Sequence, residues 1–167
     1  MVGLLQAAAN HPDGRVRYEV VSALRGVDPR LARPLLLKLV QSDDSRTFQA
    51  ALLTLAERRD PQVARFALEL TLGPDFEQRS NDERRAIYSA LGSTGGDEVM
   101  PELEAELLKG GWFQRGNEGH RQAIARCIAR IGTPMAREVI EEGARSRRGP
   151  IRDLCEELLQ RWEQRRG

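Results

Sequence analysis

The chain has 167 residues, of which 40% are hydrophobic, 31% charged and 5% aromatic, with a formal net charge of +1. This Ala/Leu/Arg/Glu-rich balance lies far from that of a disordered chain, and it gives no whole-chain field that would draw nucleic acid or a membrane surface. No apolar run approaches the roughly 20 residues that span a bilayer, no signal peptide is visible at Met1-Val2-Gly3-Leu4-Leu5-Gln6, and Cys127 and Cys155 read as reduced core thiols of a cytoplasmic protein.

In chain order, residues 3–10 form a short helical piece ending at His11-Pro12-Asp13-Gly14. The piece reads as the second helix of a unit whose first helix is missing, so the chain is expected to begin within a repeat, either as a natural N-terminal cap or as a piece of a longer protein. Asp13 is placed to cap the next helix, because its carboxylate can accept from an unpaired first-turn N–H. In that helix Val16, Val20, Ala23 and Leu24 fall on one stripe, the pattern of a buried helix face. Asp28-Pro29 follows, with Asp28 as cap and Pro29 at the first helical position, where a missing N–H is no loss. The same device returns at Asp60-Pro61 and Thr133-Pro134, and as Gly95-Gly96-Asp97 with Asp97 as cap and no proline in the turn. Ser80-Asn81-Asp82-Glu83 fits a capping box before a helix whose inward residues are Ile87, Ala90 and Leu91. Later stripes hold Ile124, Cys127, Ile128 and Ile131, then Ile151, Leu154, Cys155, Leu158, Leu159 and Trp162.

Aligned on these turns, the chain is a tandem array of helical hairpins: a half-repeat at 1–14, units near 15–42, 46–73, 82–110 and 119–146, and a terminal helix at 150–166. A hairpin of this size cannot bury its apolar stripe alone, so the units must stack. The elements Val16-Arg17, Ala23-Leu24, Asp28-Pro29 and the Leu-rich helix after them resemble the HEAT repeat, in the short bacterial form first noted in phycobilin lyases. Ile151-Arg152 repeats the opening, and Ala90-Leu91-Gly92 repeats the end of the first helix; Arg58-Arg59 stands where the pattern has a turn glycine. The resemblance covers residues 3–165. It implies one all-α domain over residues 1–167, a right-handed α-α superhelix of four to five hairpins with the second helices lining a concave groove.

Read on that geometry, the groove helices present Arg33, then Arg65, then Glu98, Glu102 and Glu106 at i, i+4 and i+8, then Arg137 and Glu141. Leu37, Leu68 and Leu72 stand out as surplus apolar residues, with self-association left open. Three glutamates on one face form either a docking strip for a basic partner segment or an ordinary solvated face. Catalysis by them is excluded on environment: acid–base work needs carboxylates whose pKa values are pushed apart. Of the two long connections, the second carries Trp112-Phe113 between glycines; the pair either anchors a partner or folds back over the core.

Neither His11 nor His120 has a cysteine or carboxylate at ligand spacing, so no metal and no cofactor are expected. The resulting expectation is a non-enzymatic scaffold that binds another protein, or a domain of its own parent chain, through the groove and the Trp112-Phe113 loop. The rival is nucleic-acid binding, since HEAT-like solenoids include DNA glycosylases with basic grooves. It would use Arg145, Arg147, Arg148 and Arg152, residues that helix C-termini also explain.

Overall fold

Capping chemistry and apolar periodicity divide the chain into short helices, and the computed structural model, which describes residues 2–109, 118–146 and 149–164, contains no strand among them. In order these are α1 (Val2–Ala8), α2 (Gly14–Leu24), α3 (Pro29–Leu39), α4 (Ser45–Glu57), α5 (Val63–Leu72), α6 (Asn81–Thr94), α7 (Met100–Leu108), α8 (Glu118–Ile131), α9 (Pro134–Ser146) and α10 (Pro150–Gln164). Single 3-10 turns at Phe76–Gln78 and Asp97–Val99 precede α6 and α7. The fold is all-α and built of helical hairpins. It divides into two units, residues 1–90 and 91–167, with the division inside α6.

The caps explain where helices start. Asp13 and Asp28 accept from the N–H groups of Arg15 and Arg30, and Pro29 opens α3. Ser80 and Glu83 satisfy each other's backbone N–H at 3.1 and 3.2 Å, a complete capping box. Thr133 accepts from Ala136 N–H at 3.1 Å and Pro134 opens α9. Two expected caps differ. At Asp60-Pro61 the carboxylate does accept from Gln62 N–H at 3.0 Å, but the chain makes a further turn and α5 begins at Val63, leaving Pro61 outside the helix. At Gly95-Gly96-Asp97 the residue that turns back is Glu98, whose carboxylate accepts from Gly96 N–H at 3.0 Å; Asp97 makes no side-chain cap, and the proline appears later, at Pro101 in α7.

In the first unit α2 packs against both α3 and α4, and α3 packs on α4. Leu24, Leu36, Leu39, Leu52, Leu55 and Leu68 are fully buried, each contributing about 2 kcal/mol of burial. Because α2 serves two neighbours, its stripe is turned towards Val20, Val21 and Leu24; Ala23, expected inside, is exposed. Leu68 is core, not surplus, whereas Leu72 is 40% exposed. Phe76 is buried edge-on to Tyr88 with ring centroids 5.3 Å apart. In the second unit α9 and α10 lie along each other, and α8 packs on α7, α9 and α10. Gly143 sits so close to α10 that an added Cβ would stand 2.8 Å from Cys155 Sγ. Ile87, Ala90, Leu91, Ile124, Cys127 and Ile128 are buried as the stripes require; Ile131 is half-buried.

Helix α4 ends in a Schellman motif: Asp60 N–H donates to Leu55 carbonyl at 3.1 Å and Arg59 N–H to Ala56 carbonyl at 3.0 Å. The motif needs a left-handed residue, and Arg59 supplies it at φ 53° in place of the usual glycine. An L side chain there costs roughly 1 kcal/mol. Arg59→Gly is therefore expected to raise stability by up to about 0.5 kcal/mol after allowing for glycine's greater unfolded freedom. A higher urea midpoint at unchanged slope would show it; a lower midpoint would refute it.

Asp44 caps α4 by accepting from both the N–H and the hydroxyl of Thr47, at 2.8 and 2.6 Å. These bonds hold its carboxyl below the ordinary value of 3.8. A depressed native pKa contributes stability above the unfolded value, lost as pH falls through the native one. Asp44→Ala should thus cost about 1 kcal/mol at neutral pH. Its deficit against the unaltered chain should shrink once the pH drops below about 4, which denaturant titrations at several pH values would reveal.

Candidate interaction surface

Arg33 extends from α3 and reaches the turn before α5. Its Nε lies 2.5 Å from Asp60 Oδ2 and its Nη2 3.3 Å from Oδ1, a two-pronged pair across neighbouring hairpins. The Asp60 side chain is 4% exposed and that of Arg33 40%. Planar guanidinium matched to carboxylate makes this a directional bond. Arg33, expected as a free groove cation, is thus committed to holding two hairpins in register. Arg65 stays on the open face, paired with Glu69 one turn on at 3.2 Å.

Between these helices the first unit has a hollow of about 270 Å³. Leu37 bounds it from α3, Val40 and Gln41 from the turn that follows, Leu55 from α4, and Gln62, Val63 and Phe66 from the α5 side. Leu55, Val40 and Val63 are buried and form the floor; Leu37 and Phe66 are half-buried walls; Gln41 and Gln62 are exposed at the rim. Leu37 was legible as a surplus apolar residue of the groove helix. Phe66 was not, since an aromatic one turn inside a short helix reads as core. A second, more polar hollow of about 400 Å³ lies over residues 9–12 and 38–43. Arg17, half-buried at its edge, is spent on the protein itself: Nη1 donates to the carbonyls of His11 and Pro12 at 2.9 and 3.0 Å, Nε to Ser42 at 3.1 Å and Nη2 to Asp43 at 2.5 Å.

In the second unit the three glutamates do not form one equivalent strip. Glu98 lies in the 3-10 turn before α7 and folds onto Gly96 N–H. Glu102 is half-buried on α7. Glu106 is 12% exposed at its side chain, accepts from Lys109 Nζ at 2.7 Å and lies 3.6 Å from His120 Nε2. The periodicity breaks because α7 starts at Met100, two residues beyond Glu98. His120 therefore has a carboxylate neighbour in space that its sequence surroundings hid, and its own side chain is 6% exposed. Arg137 pairs with Glu141 at 2.9 Å and with Glu163 at 3.5 Å. Arg145 and Arg152 are engaged too, the first with Glu142 and the Glu141 carbonyl, the second with Asp153 and Glu156. Trp112 and Phe113, like Arg147 and Arg148, lie outside the described residues.

No three His, Cys, Asp or Glu side chains converge as a metal set among the described residues. Both cysteines are buried, and burial pushes the Cys127 thiol up to about 12 and the Cys155 thiol up to about 11, so neither offers a thiolate at neutral pH. Among the described residues, no helix is long and apolar enough to cross a membrane.

Iodoacetamide at pH 8 should leave both thiols of the folded chain unmodified and alkylate both in denaturant. Rapid modification of either one under native conditions would contradict the burial described above.

A family model described as HEAT repeats matches residues 1–82 of the chain. No curated protein matches it.

Proposed function

Because residues 1–82 are HEAT repeats, we propose that the chain is a non-catalytic scaffold that binds another protein, or another domain of its parent chain, through the second-helix face of its repeats. The observation that carries the reading is the apolar hollow between α3 and α5, with half-buried Leu37 and Phe66 facing into it. An apolar hollow with a few polar groups at its mouth is the usual form of a site that receives a side chain. The Arg33–Asp60 pair supports it by fixing the two helices that bound the hollow, so that little ordering is left for binding to supply. Arg65 and Glu69 give the same face a polar border. In the second unit Glu98, Glu106 and Glu141 are engaged by Gly96 N–H, Lys109 and Arg137.

The test is capture from native lysate on the immobilised chain, with and without nuclease, beside a Leu37→Lys variant and an Arg65→Glu variant. A protein retained by the unaltered chain and lost, at least in part, with both variants is the expected result. Retention insensitive to both would remove this face from consideration. Enrichment that disappears with nuclease would move the case to a nucleic-acid ligand.

A further inference from the structure

We draw no further inference here: the strongest candidate, the side-chain pair of His120 and Glu106 between α8 and α7, carries none, because burial opposes protonation of the imidazole while the carboxylate 3.6 Å away favours it, and nothing in the structure decides which prevails.

Discussion

A helix end leaves carbonyls without intrahelical partners, and the first unit meets some of these with a side chain from the next hairpin. Arg58, at the C-cap of α4, sends Nη2 back to the end of α2, where the carbonyls of Leu24, Arg25 and Val27 accept at 2.8, 3.2 and 3.3 Å. One guanidinium thus gathers three carbonyls at the end of α2 and ties α4 to it. The arrangement is not free of cost, since Arg58 Nη1 is buried without a hydrogen-bond partner. Arg25 returns the contact through Nε to Thr54 at 3.3 Å. Arg17 likewise donates to the carbonyls of His11 and Pro12 at the turn before α2, while Arg33 ties α3 to the Asp60 carboxylate before α5. The hollow between α3 and α5 depends on this lattice, because it can remain open only while its bounding helices are held from outside it.

Much of the architecture was legible because its determinants act within a few residues. Asp28-Pro29, Thr133-Pro134 and Ser80 to Glu83 cap helices through bonds between near neighbours, so residue type and spacing suffice to place them. The stripes of α6 and α8 follow from a period that any short helix must obey. What was not legible is carried by pairs from different hairpins. Arg33 and Asp60 look like one exposed cation and one local cap when read in sequence, and only stacking shows that they are a single device. Glu106 and His120 fail in the same way, since each seems solvated until α7 and α8 come together. Pro61 and Asp97 show a smaller error: the motif was right, but the backbone inserted another turn before the helix.

The candidate surface divides along the same line. Leu37 announced itself as an apolar residue on a face expected to be polar. Phe66, Gln41 and Gln62 gave no such signal, because a pocket wall is defined by what stands opposite it. The acidic strip was an inference from helical period applied to residues that do not share a helix. Many charged side chains among the described residues pair within the chain, along one helix as Arg65 with Glu69 or across a turn as Arg33 with Asp60.

The side-chain bonds that join hairpins in the first unit reach a narrow range of sequence distance, such as 27 residues for Arg33 to Asp60 and 34 for Arg58 to Leu24. Each therefore couples a hairpin to its immediate neighbour and to nothing beyond. Loops of that size close at modest entropic expense, and no long-range pairing must wait for distant parts of the chain. Assembly can begin at any adjacent pair and spread outward, in the manner of a one-dimensional lattice. A perturbation in one hairpin would accordingly weaken its neighbour and fade within the next, giving the unit an energetic correlation length of about one repeat.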